Sequence, residues 1–517
     1  MRFRLFCLIL WVAFCAHVPV LWAEQSHPKD KKSQHNQIDE IIFSPSKILS
    51  SADLLTLSLP YTGQRLSPAD ISQLIDSINK FYLSRGYLTA RAQLSTPRPS
   101  PHSIRILLIE KDISGDVGVL PPAARRILTG QVLDQPFHLG ALQRSMILIN
   151  EINGLDAKSR LTPLPSGDYN VEFAAKRDWY NGFYQFDNMT NNPRKTVRVL
   201  SEVNLNTALP YLETIGVRGA QISGDDTADY AEIFTETWFG INGLRLKNRL
   251  AKADSETPSN DLGFVAAGNT DLFETSLLYP VRRDFAGQSS LSFGVKHVDS
   301  QSLISGLDYI NDEVTSLHLG YSGQASLSDG FESYAASIIQ GIDLFGKNDN
   351  STPSRLDANG KFTYLTGEYQ RLYRPQNSNM RYTIAAKAQI SADKLLAGDE
   401  FSLGGADFGR GYGFATATGD DGVAINLEAA TPTLRNLGGQ FSGHAYAFFD
   451  LGATHEKESN VQNDQFEIIS SAGIGIRTKI LKYDFDAEWA QPVYDDNLDF
   501  EDEKNTSRLT FKLTGRF

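Results

Sequence analysis

One loop gathers the residues best able to hold charge inside a folded interior. Residues 401–405 read FSLGG, and Gly409, Arg410, Gly411 and Tyr412 follow shortly after. Glycine allows tight turns. Arginine offers a planar fork of donors that grips a carboxylate through two bonds. A glycine-rich segment with one arginine suits a loop folded back into a polar lumen. Its partner should stand on an inward-facing strand position. Residues Phe448 to Gly452 supply one: with Phe449 and Leu451 facing lipid, Asp450 points inward. Glu428, inward by alternation with Ile425 and Leu427, is a second possible partner.

Other chemistries find little support. His297, His318, His444 and His455 are scattered without a motif. His444 would share the face of Asp450, but no serine signature of a hydrolase accompanies it. No GxxxxGK[ST] phosphate loop occurs. The reading is therefore of a non-enzyme: no catalytic residue, no metal and no cofactor.

The elements that must position this loop are strands. From Trp179 onward, helical spacing gives way to segments of about ten alternating residues separated by Gly, Asn, Asp and Ser. Examples are 196–205, 212–222, 289–297, 381–390, 423–429 and 445–452. The last segment alternates strictly: Leu509, Phe511, Leu513, Gly515 and Phe517 on one face, Arg508, Thr510, Lys512, Thr514 and Arg516 on the other. A membrane barrel offers oil on one side and water on the other; an edge strand of a soluble sandwich also fits that pattern alone. Sixteen strands over 179–517 would allow roughly 21 residues for each strand plus connection, enough for strands of about 9–11 residues. Both ends on the same side require an even number. Counting back from Phe517, long and short loops alternate, which puts the Leu395–Asp420 loop on the extracellular side. Mean hydropathy is only −0.28, as expected where every second strand residue meets water.

The amino-terminal part is different. Residues 1–23 read as an export signal: Arg2 and Arg4, an apolar run from Leu5 to Leu21, and Ala23 before the cut. Both cysteines, Cys7 and Cys15, lie within it, so the mature product has no thiol chemistry. The chain carries 49 basic and 61 acidic residues, a balance that argues against general nucleic-acid binding. After a polar stretch at 24–37, residues 38–112 read as a small α/β module. Glu40–Phe43 is a strand, Ser51–Leu57 a short helix, and 88–94 with 103–110 a hairpin. Ser67, Pro68 and Asp70 start a second helix. Its stripe is Ile71, Leu74, Ile75, Ile78 and Tyr82, and Gly86 ends it. Residues 113–178 repeat the theme, with helices at 121–128 and 138–152 and strands at 156–164 and 168–176. The barrel then occupies 179–517.

With these motifs in order, the chain resembles the two-partner secretion transporters of the FhaC/ShlB type, also called TpsB proteins, within the BamA-related superfamily. The resemblance covers essentially everything after Gln37. It implies two periplasmic POTRA modules and a sixteen-stranded transmembrane β-barrel in the outer membrane. It also implies an extracellular loop whose (V/I)RG(Y/F) motif lies in the lumen and meets an (F/G)xDxG strand motif. Arg410, Gly411 and Tyr412 match the first, and Phe448, Asp450 and Gly452 the second; the FSLGG run and the stretch 419–428 also look like the family. Gly409 stands where the family usually has a branched residue, and a looser loop tip is expected. Residues 24–37 are too short for the plug helix and linker that many members carry. The implied function is export of a large unfolded partner protein, captured by the POTRA modules and driven by folding outside. Implied partners are that exoprotein, outer-membrane lipids, and the barrel assembly machinery, for which Phe517 would be the insertion signal; the implied state is a monomer. A barrel-assembly or insertase factor of the same superfamily is the alternative. Asp495, Asp496, Asp499, Glu501, Asp502 and Glu503 form an acidic outer loop, read first as solvated charge, with divalent ions at lipopolysaccharide as the weaker alternative.

Overall fold

The computed structural model describes residues 37–38, 40–97, 99–100, 102–165, 169–209, 212–258, 265–343, 352–435, 440–457, 465–495 and 507–517. The expectations for the export signal, for a plug helix and for Asp496, Asp499, Glu501, Asp502 and Glu503 lie outside these residues. Two compact units divide the chain. One comprises the residues up to Pro45 with Leu49–Ile78 and Ala92–Leu108; the other holds Ser46–Ile48, Asn79–Arg91 and Ile109–Phe517.

In the first unit, strand Glu40–Phe43 runs parallel to Ser103–Ile109, and Arg91–Leu94 lies on the other side of that central strand. The hairpin partner is shorter than expected from sequence, because Tyr87 to Ala90 leave the ladder in a turn. Helix Pro68–Ser84 starts as the sequence requires. The Ser67 hydroxyl accepts from the Asp70 N–H at 3.2 Å, and the Asp70 carboxylate accepts from the Ser67 N–H at 2.7 Å. Ile71, Leu74 and Ile78 of its apolar stripe are buried. The end of that helix, in the second unit, is tied by Glu110, whose carboxylate accepts from the Tyr82 and Ser46 hydroxyls.

The second unit also holds helices Pro122–Gln131 and Leu139–Asn150 and the antiparallel strands Leu155–Pro163 and Tyr169–Arg177. His138 caps the second helix, its Nδ1 accepting from the Ala141 N–H at 3.0 Å. Their shared core, with Ile127, Leu128, Phe137, Leu148 and Val171, also takes in Trp238 from the barrel. The Glu151 carboxylate fastens the same joint, 2.8 Å from Arg245 Nη2 and 2.5 Å from Arg283 Nε. The rim carrying these residues is the near rim of the barrel.

The barrel is closed and antiparallel, with sixteen strands running from Tyr180–Asp187 to Arg508–Arg516. The short piece Leu434–Arg435, set off by Pro432, extends the strand Asp421–Ala430 along the same neighbour. The last strand meets the first from Lys512↔Asp187 to Arg516↔Phe183, and Phe517 exchanges backbone hydrogen bonds with Gly182. Alternation sorts the side chains: Phe293, Leu319, Leu365, Ile384, Leu451, Ile474 and Trp489 are exposed on the outer face. The three longest described strands are neighbours, namely Val265–Arg283, Gly287–Ile304 and Leu307–Leu327. Their far ends turn polar on both faces, as at Asp299 to Ser302, so they continue past the apolar band.

Candidate functional site

The Leu395–Asp420 loop leaves the far rim and returns inward as a hairpin. Phe401–Leu403 pairs antiparallel with Ala417–Gly419. Phe401, Leu403, Tyr412 and Ala417 pack with Ala424 and Ile469 of the wall. This apolar packing seats both strands of the hairpin against the wall.

That charge is Arg410, with 7% of its side chain exposed. Its main-chain N–H and its Nε both donate to Asp450 Oδ2, each at 3.0 Å, and Nη2 donates to Asp450 Oδ1 at 3.1 Å. Nη1 donates to Glu488 Oε2 at 2.9 Å. The guanidinium carbon lies 3.3 Å from the centroid of the Phe448 ring, a cation–π contact with water largely removed. Asp450 is fully buried and also accepts from Asn426 Nδ2 at 2.5 Å and Ser471 Oγ at 3.2 Å. Five donors thus satisfy this buried carboxylate. Tyr412, one turn on, donates its hydroxyl to the carbonyls of Tyr494 (2.8 Å) and Ser470 (3.2 Å).

Three glycines give the hairpin its fit. Gly409 has φ 77°, and a Cβ there would come within 3.0 Å of Ile469 and 3.1 Å of Gly404 N. The tip is therefore a tight turn, closed by the Tyr412 N–H on the Gly409 carbonyl at 2.9 Å, rather than the looser one expected from the missing branched residue. At Gly411 a Cβ would stand 2.7 Å from Pro492 N, and at Gly452 it would stand 2.6 Å from Leu403.

Glu428, the possible second partner, makes a long ion pair with Arg410. It lies 3.9 Å from Arg410 Nη1 and is engaged by Arg477, at 2.5 and 2.9 Å. The second carboxylate hydrogen-bonded to Arg410, after Asp450, is Glu488. It also accepts from the Tyr446 hydroxyl at 2.8 Å. Alternation with Trp489 marks Glu488 as inward, so the signal was present; the strand lacked a motif to draw attention to it. His444 stands on the lumen side opposite Arg477. Among the described residues, no group of His, Cys, Asp and Glu is arranged to hold a metal ion.

The arrangement clasps an extracellular loop inside a barrel. A model of the family "Haemolysin secretion/activation protein ShlB/FhaC/HecB" matches residues 176–478, and one for the ShlB-type POTRA domain matches 37–110. The outer membrane transporter CdiB of Escherichia coli O6:K15:H31 (strain 536 / UPEC) is 21% identical over 403 residues, covering 76% of this chain and 68% of that protein. The hemolysin transporter protein HpmB of Proteus mirabilis is 21% identical over 472 residues, covering 86% and 80%. The solved structure of CdiB from Escherichia coli superposes with a TM-score of 0.79 at 18% identity, covering 95% of this chain and 93% of that one. The chain belongs to the haemolysin secretion/activation protein family ShlB/FhaC/HecB, outer-membrane transporters with periplasmic POTRA modules.

Proposed function

We propose that the chain recognises one unfolded partner protein in the periplasm and passes it through the barrel lumen, with the Arg410 hairpin controlling the pore. The observation that carries this reading is the hairpin 401–419 seated in the lumen with Arg410 held by Asp450 and Glu488. A porin loop needs no such clasp, whereas a channel for a polypeptide must close between passages. The relatives named above are transporters of a hemolysin and of CdiB type, which supports a large exoprotein as cargo.

Residues 38–112 and 113–178 are assigned to the two POTRA modules and 179–517 to the barrel. Capture is assigned to the first module. Its strand Arg91–Leu94 lies at the edge of the sheet, where an incoming extended segment would add a strand. Folding of the cargo outside would supply the drive, with no nucleotide needed. During biogenesis Phe517, at the seam with Gly182, would be read by the barrel assembly machinery, and the finished monomer would be solvated by outer-membrane lipids.

The test is secretion of a co-expressed candidate exoprotein by a host lacking its own transporter. Arg410→Ala should reduce export while the barrel inserts at normal level. Undiminished export by that variant would remove the clasp from the mechanism. General loss of other barrels on deletion of the chain, with export intact, would place it instead among assembly factors.

A further inference from the structure

A second ionic constellation lies at the far rim, sharing no residue with the first. Its centre is Asp420, at the root of the inward hairpin and fully buried. Four donors converge on its carboxylate: Arg355 Nη1 at 2.7 Å, Arg355 Nη2 at 3.2 Å, the Leu395 N–H at 2.6 Å and the Lys457 N–H at 2.8 Å. Arg355 comes from a different loop, between strands Gly330–Ile342 and Thr363–Tyr373. Its side chain is 9% exposed. It also donates to the Leu395 carbonyl at 2.8 Å and to Glu456 Oε1 at 3.0 Å, and its Nη1 lies 2.7 Å from the Glu400 carboxylate. One carboxylate and one guanidinium thus join three extracellular segments, around 355, 395–420 and 456–457.

Beside them lies an apolar cluster. Leu395 and Leu396, where the hairpin loop leaves the wall, pack with Ala358 and Phe362 of the Arg355 loop and with Val314 and Tyr364 of the wall. Ion pair and apolar seat act on the same two loops. Release of Arg410 would free the tip of the hairpin and leave its root fixed.

We propose that Arg355 and Asp420 form an outer latch, separate from the Arg410 clasp, that holds the root of the hairpin and keeps the extracellular mouth shut. They are positioning residues for the gate. The latch is a property of the closed barrel, and only the cross-linking arm below rests on the export reading.

The experiment measures single-channel currents of the full-length protein in planar bilayers. Arg355→Ala and Asp420→Asn should each raise the open fraction at least about tenfold over the parent, and the exchange R355D/D420R should bring it back toward the parent value. An unchanged open fraction in both single variants, each with the heat-modifiable gel mobility of a folded barrel, overturns the latch. If Asp420→Asn fails to insert, Arg355→Gln with Arg355→Ala decides alone. For the second arm, R355C/D420C is joined by a bis-maleimide spacer in intact cells. Cross-linked protein should export no cargo, while each single cysteine variant exports after the same treatment. Open-fraction increases together with normal export by the cross-linked protein would leave the latch standing and sink the export route through this mouth.

Discussion

Asp450 Oδ2 accepts two hydrogen bonds from one residue, the main-chain N–H and the Nε of Arg410, both at 3.0 Å. One oxygen therefore fixes the backbone of the hairpin tip and the heading of its side chain together. Lysine keeps the charge but has neither the fork nor a planar face to lay on Phe448. Arg410→Lys should consequently behave almost as Arg410→Ala in secretion. Asp450→Asn, which keeps an acceptor oxygen, should retain more export than Asp450→Ala. Breaking a buried pair costs about 3–5 kcal/mol, and a wet lumen lowers that figure. Cargo in the medium per inserted barrel is the measurement.

Gly452 and Leu403 predict a compensating pair. A Cβ at Gly452 would stand 2.6 Å from Leu403, so Gly452→Val should lift the hairpin from the wall and raise channel conductance. Leu403→Ala in the same chain makes room and should bring conductance back down. Equal conductance of single and double variants would disprove the steric link.

Glu151 sits between Arg245 and Arg283, whose side chains are 11% and 4% exposed. Glu151→Ala leaves two mostly buried guanidinium groups facing each other without their shared carboxylate. Arg283 retains the Ser289 carbonyl at 2.6 Å and Ser290 Oγ at 2.9 Å, so the loss should stay near the lower end of about 3–5 kcal/mol. The emission of Trp238, buried in the adjoining core, should shift to the red at a lower temperature than in the parent.

Glu400 gives the outer latch a pH dependence. Burial pushes its carboxyl from 4.5 up to about 7, against the pull of Arg355; Glu456 and Asp420 push the same way as burial. The closed arrangement thus favours the protonated form. Its contribution is full below the ordinary carboxylate value and is lost as pH rises through about 7. The open fraction should be lower at pH 5.5 than at pH 8, and Glu400→Gln should flatten the profile. A parent profile with the opposite slope would contradict this assignment.

The barrel was legible because its rule is simple: with lipid outside and water inside, alternation of two residues recurs throughout the carboxy-terminal two-thirds. Sidedness of Asp450 followed from Phe449 and Leu451 alone. Strand lengths were not legible for 265–327, where both faces become polar and alternation carries no signal. Glu488 is inward by the same parity, yet its pairing with Arg410 spans 78 residues, and sequence order says nothing about which strands neighbour the hairpin. The Arg355–Asp420 pair was hidden for a similar reason: both lie in irregular loops, where side-chain direction has no period. In the small modules, the Ser67 cap and helical stripe gave the helix, while the central position of Ser103–Ile109 between two strands depends on packing.

The tall strands Val265–Arg283, Gly287–Ile304 and Leu307–Leu327 are neighbours. At about 3.3 Å per residue and a tilt near 40°, they rise well clear of the bilayer as a continuous wall of three strands. That crest carries Leu307 and Tyr309 exposed at its top, so apolar surface stands in water well away from the lipid band.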